Sequence, residues 1–170
     1  ADDLGPNRLN ILNVKAMSLV IDFSVGPPDR PSISMGVTKE YEKPPKSNKR
    51  SQRSASVGTL LKLDGDLLTA TIKEVSGEGE AAKFTVDLKI GTDTISGVAI
   101  TKANPYKKVM AYSADLEYPP SKATFLGKRE GEEIILDGES YNLIAIREQE
   151  IILEAKSNKN PWTVTPKPSR

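Results

Sequence analysis

Apolar side chains recur at every second position through most of the chain, which is the period of a half-buried strand and not of a helix. Met17, Leu19, Ile21, Phe23 and Val25 fall on one face, with Ser18, Asp22 and Ser24 on the other. Just before them, Leu12, Val14 and Ala16 keep the opposite phase. A flip at Ala16–Met17 predicts a β-bulge or a strand that changes sheets, because a one-residue slip exchanges the two faces. Ile33, Met35 and Val37 then alternate with Ser34, Gly36 and Thr38. The same alternation returns at Phe84, Val86, Leu88 and Ile90, in Ile95–Ile100, and at Met110, Tyr112, Ala114, Leu116 and Tyr118.

Turn chemistry separates these runs. GPPDRP ends the first, since proline cannot donate to a ladder. Within Thr59–Val75, Asp64-Gly65 predicts a hairpin turn, because both residues accept a positive φ cheaply. SGEGEAA, Gly91-Thr92-Asp93, Asn104-Pro105-Tyr106 and Pro119-Pro120 break the chain again. Gly131 to Ala155, GEEIILDGESYNLIAIREQEIILEA, holds three apolar bursts parted by charged turns, with Asp-Gly at the first break. No segment keeps helical spacing beyond two turns. About eight to ten short strands, with turns every eight to twelve residues or so, predict an all-β, immunoglobulin-like antiparallel β-sandwich. A single sandwich domain is expected over 1–155, and a flexible C-terminal tail over 156–170, where SNKNPWTVTPKPSR is polar and proline-rich.

One segment does not alternate. Residues 42–53, EKPPKSNKRSQR, carry five positive charges and one negative, and no apolar side chain apart from two prolines. They predict an exposed basic loop spanning about 42–56. Lys43, Lys46, Lys49, Arg50 and Arg53 are its candidate contact residues, suited to an anionic surface or to an acidic face of a protein partner. Nucleic acid is not expected, because the loop has no aromatic side chain on which bases would stack and Tyr41 lies just outside it. The lone Trp162, beside Pro161, is the other candidate: an anchor on a partner, or a ring folded back onto its own sandwich.

Composition narrows the chemistry. The chain of 170 residues has no Cys and no His. That removes disulfides, thiolate nucleophiles, imidazole metal ligands and every triad that needs His as the proton shuttle. We therefore expect a non-enzymatic protein without a cofactor. Net charge is +1, with no global basic bias. No apolar run reaches the ~20 residues of a membrane-spanning helix; Ala16–Val25 is interrupted by Ser18, Asp22 and Ser24. The start at Ala1, ADDLGPN, fits a chain left by signal-peptide cleavage and fits an arbitrary boundary equally well. On the first alternative an N-terminal anchor has been removed.

Two motif-like stretches read better as turns. Gly77-Glu78-Gly79 with Ala82 has dinucleotide-fingerprint spacing, but such a fingerprint opens a helix and this one leads into a strand. Asp64, Asp66, Glu78 and Glu80 are oxygen donors suited to a hard cation, yet they lack the D-x-[DN]-x-[DN]-G spacing of a calcium loop.

The C-terminal unit carries a resemblance. Lys128-Arg129-Glu130-Gly131-Glu132-Glu133-Ile134, Leu136-Asp137-Gly138, Tyr141, Leu143, Ile146, Ile151 and Leu153 follow an outline similar to small periplasmic β-domains. Those domains belong to inner-membrane assembly proteins of type IV pilus and type II secretion systems, of the PilP and GspC type. The resemblance implies that Gly131 opens a strand, that Asp137-Gly138 forms a hairpin turn and that Ile151–Leu153 lies in the closing strand. It implies docking to other pilus or secretion-system proteins. The bulk of the chain also resembles archaeal-type pilins, whose immunoglobulin-like sandwiches follow a hydrophobic N-terminal helix. Together these lead us to expect a component of a type IV pilus or related secretion apparatus, at the periplasm or cell surface. A surface carbohydrate- or ligand-binding sandwich is the alternative, and a carboxylate glycosidase a third.

Overall fold

The strand with the phase flip, Asn10–Val25 (β1), is unbroken. The flip marks the passage from one core to another. The computed structural model describes residues 5–27, 29–30 and 32–166. The chain start at Ala1, together with Pro28 and Pro31 of the GPPDRP turn, lies outside them. Contacts divide the chain into two compact units, one of residues 1–17 and 109–170 and the other of residues 18–108. Val14 packs in the first unit's core, whereas Leu19, Ile21 and Phe23 belong to the second's. The opposite phase is realised only at Val14: Leu12 is 51% exposed and Ala16 is exposed, while Ile11, on the phase of Met17–Val25, packs against the same core.

The other strands are Ile33–Lys39 (β2), Arg50–Ala55 (β3), Leu60–Lys62 (β4), Leu68–Ser76 (β5), Lys83–Ile90 (β6) and Asp93–Ile100 (β7). They are followed by Tyr106–Tyr118 (β8), Ala123–Arg129 (β9), Glu133–Leu136 (β10), Glu139–Arg147 (β11), Glu150–Ala155 (β12) and Pro161–Val164 (β13). The hydrogen-bonded orders are β3-β2-β1-β8-β9, β4-β5-β6-β7 and β10-β11-β12-β13. Among the described residues there is no α-helix, and so none that is long and apolar enough to cross a membrane. The chain is all-β and antiparallel, as the alternation predicts, and the two four-stranded sheets are plain meanders.

Within the unit of residues 18–108, β1 from Ser18 onward, β2 and β3 face β4–β7. Leu19, Ile21, Phe23, Met35 and Val37 from the first sheet meet Leu68, Ala70, Ile72, Phe84, Val86 and Leu88 from the second. The Phe23 and Phe84 rings stack with centroids 4.8 Å apart. Burying one such ring stabilises the fold by about 1.5–3 kcal/mol.

In the other unit, Ala114, Leu116 and Tyr118 of β8 pack with Ile134, Leu136, Tyr141, Leu143, Ile151 and Leu153 of β10–β12. The three apolar bursts of Gly131–Ala155 are these three strands. Leu136 pairs with Glu139, so Asp137-Gly138 is a two-residue hairpin loop. Both loop residues have positive φ, 51° and 82°, as a turn matched to strand twist requires. The Tyr118 hydroxyl donates to the Asp137 carboxylate and accepts from the Gly5 N–H at 2.6 Å. It holds the turn and the 3-10 turn Gly5–Arg8 on one buried ring.

Four expectations are corrected. The basic segment of 42–56 is not all loop, because Arg50–Ala55 is strand β3, paired in continuous register with β2 from Thr38↔Arg50 to Ile33↔Ala55. Its first five residues are exposed, so no apolar alternation marks it. The tail over 156–170 contains β13, whose Val164 is buried against Ile151; residues 167–170 lie outside the described chain. β12, with Ile151–Leu153, is therefore an interior strand between β11 and β13. Gly131, at φ 86°, sits in the turn before β10.

Candidate functional site

The basic segment is anchored at both ends. β2 ends at Lys39, and the Glu40 side chain reaches back to accept the Ser18 N–H at 2.9 Å. Lys39 donates to Asp64 at 2.8 Å and lies 3.6 Å from Glu42. The hydrogen bond to Asp64 raises the Lys39 pKa, against the opposing pull of burial. Burial raises that of neighbouring Tyr41, with Lys39 acting against it. A 3-10 turn at Lys46–Asn48 then delivers the chain into β3.

On the outer face of β3, Arg50 points across the sheet. Its Nη2 lies 2.5 Å from Asp22 Oδ1, and its Nε is 3.0 Å from both Asp22 oxygens. The guanidinium crosses above Gly36, where a Cβ would stand only 2.1 Å from Arg50 Nε. Glycine is thus the residue that leaves a lane for the ion pair. The hydrogen bond that Arg50 donates to Asp22 raises the Arg50 pKa. Arg53 opposes the core residue Met35 and so belongs to the inner face. Its Nη1 donates to the Lys62 carbonyl of β4 at 3.0 Å, tying together the margins of the two sheets.

Lys46 and Lys49 are exposed and line a shallow concavity of about 220 Å³ with Lys39, Glu42, Ser51 and Leu63. Among the described residues no ion pair involves Lys43, Lys46 or Lys49. The five basic candidates therefore separate by role. Arg50 and Arg53 secure the strand, and the three lysines leave their charge at the surface beside its edge. Trp162 is in the other unit and is not part of this group. It pairs with Leu153 across the β12–β13 ladder, on the face of that core residue, and is 37% exposed.

Three of the four suspected cation donors are engaged elsewhere. Asp64 pairs with Lys39, Asp66 with Lys62 and Glu80 with Lys102. Among the described residues no three acidic side chains gather as a metal site. Gly77–Ala82 connects β5 to β6 without opening an α-helix, so the glycine spacing is that of a turn. Sequence reading missed Asp22 and Gly36, whose roles depend on a strand pairing that no local signal announces.

No family model matches this chain, and neither a curated protein nor a solved structure is similar to it.

Proposed function

We propose that this protein is a non-enzymatic component of the bacterial cell envelope, in a type IV pilus or related secretion apparatus, acting by protein–protein interaction. The observation that carries the binding part is β3, an exposed edge strand with surface lysines at its entry. A strand at a sheet edge offers unpaired N–H and C=O groups to another chain. The envelope part rests on the outline running from Lys128 to Leu153, which is similar to pilus and secretion docking domains. These positions run from the end of β9 through β10, β11 and β12, with Asp137-Gly138 as the hairpin turn between β10 and β11.

Fractionation of the native organism tests the placement. The expected result is recovery with periplasmic or surface material; recovery in the cytosol alone overturns it. Cross-linking from surface positions in situ, followed by identification of the captured chain, tests the assembly: a pilus or secretion component is expected.

A further inference from the structure

Edges of β-sheets are hazards, and most of those here are blunted. β4 has three residues and β10 four, too short to template a partner. β13 starts with Pro161. β7 is interrupted by a register shift opposite Val86–Leu88, with Gly97 at φ 69°. β9 has a shift opposite Ala114–Leu116, with Gly127 at φ 61°. β3 alone among the described edges is six residues long, regular in register and free of proline. Its only guard is charge. Arg50 and Arg53 lie on it, and Lys43, Lys46 and Lys49 lead into it.

Positive charge on and beside a regular edge disfavours a second copy of the same strand, because like charges brought opposite one another are destabilising. It selects a chain of the opposite sign. We infer that β3 takes up an extended acidic segment of a partner protein as an added strand, with carboxylates of that segment seated between Lys46 and Lys49. This rests on the reading that the protein binds through strand edges. A polypeptide uses both features of the place, the unpaired backbone and the lysines, whereas a phosphate-rich surface or a nucleic acid would use only the second. The concavity of about 220 Å³ has Ser51 of β3 in its wall and Leu63 beside it, so a side chain of the added strand has a place to enter. Arg50 and Arg53 are already held by Asp22 and the Lys62 carbonyl, which fixes the edge before the partner arrives.

The test uses a fluorescent eight-residue peptide alternating Glu with Val or Thr, titrated with the full chain. Anisotropy should rise, and the affinity should fall with added salt. Lys46→Glu with Lys49→Glu should weaken binding about tenfold or more, since two attractions become repulsions; both positions are exposed, and circular dichroism checks the fold. A peptide with Pro at alternate positions, which cannot pair as a strand, should not bind. Amide exchange within Arg50–Ala55 should slow when the acidic peptide is bound. Binding that is undiminished in the double variant, or equal for the proline peptide, or without slowed exchange in β3, overturns the inference. So does absence of binding, even if the protein fractionates with the envelope, in which case the broader reading stands. A cytosolic protein that binds the peptide in this way supports the inference and removes the envelope reading.

Discussion

Arg50 reaches Asp22 from two strands away, and it does so over the bare backbone of Gly36. The pairings Asp22↔Gly36 and Gly36↔Gln52 put Gly36 between Asp22 and Gln52, and the guanidinium of Arg50, which pairs with Thr38, passes over that glycine. Arg50 also donates to Gln52 at 2.5 Å, so its guanidinium is held from two sides. The pair is about a third exposed, with side-chain values of 35% and 29%, so solvent screens it. A double-mutant cycle of Arg50→Ala and Asp22→Ala should give a coupling of about 0.5–1 kcal/mol, the upper part of the range for surface pairs because the contact is bidentate.

Gly36→Ala separates the lane from the strand. In the native background the new methyl displaces Arg50, and stability should fall by about 1 kcal/mol. In the Arg50→Ala background the same change should be neutral or stabilising by about 0.5 kcal/mol, because Gly in a strand carries an entropic cost that Ala does not. Urea denaturation of the four proteins reads this reversal of sign. A fall of equal size in both backgrounds would place the cost elsewhere.

Tyr118→Phe removes one hydroxyl and leaves the buried ring. The Asp137 carboxylate loses its donor and the Gly5 N–H its acceptor. We expect a loss of about 1–2 kcal/mol, the cost of leaving partners of a buried hydroxyl unmet. The effect should depend on pH. Burial first, then the Asp137 hydrogen bond, raises the Tyr118 pKa above 10.0. Burial raises that of Tyr141 in the same way, with Glu139 adding to it. The folded state therefore holds these protons more tightly than the unfolded state. Their stabilising contribution is whole below the ordinary phenol value and is lost as pH rises through the folded one. Melting temperature against pH, with tyrosinate absorbance followed alongside, should show a shallower alkaline decline in Tyr118→Phe than in the native protein.

The acid limb has the opposite sign. Hydrogen bonds from Lys156 and Ser140 lower the Glu133 pKa, and one from Lys102 lowers that of Glu80. Both contributions are present above the ordinary glutamate value and fade as pH falls through the folded ones. Glu133→Gln combined with Glu80→Gln should flatten the loss of melting temperature between neutral pH and pH 3, with little change at high salt, where the pairs are screened.

Trp162 reports on β13. Val164 is 8% exposed and pairs with Ile151 two residues further along the strand. Val164→Asp buries a charge and should undock the strand. Emission of the only tryptophan should then shift to the red, and iodide quenching should rise to that of a free indole. An emission spectrum unchanged by the substitution would mean that β13 is not what holds the ring.

Most of the strands were legible because each has one wet and one dry face. Met17–Val25, Ile33–Val37, Phe84–Ile90 and Met110–Tyr118 all declare themselves by period. Two strands did not. β3 is wet on both faces, so its residues read as a loop; β13 is four residues among prolines, and only Val164 betrays it. The candidate site was half legible. Lys46 and Lys49 stood out as charge, but nothing near them in sequence names Asp22, Gly36 or the Lys62 carbonyl as partners of their neighbours.

By itself the amino-acid order determined where the chain extends and where it turns, since alternation and residues such as Asp137-Gly138 act over a few bonds. It determined the absence of His and Cys chemistry as well. Tertiary structure alone decided that β1 serves two cores, and that the basic segment becomes an edge strand braced by Asp22. Strand pairing joins residues 28 apart in sequence, as for Arg50 and Asp22. The free energy of such a pairing lies in burial and hydrogen bonds formed only once both partners are in place, so no local pattern encodes it.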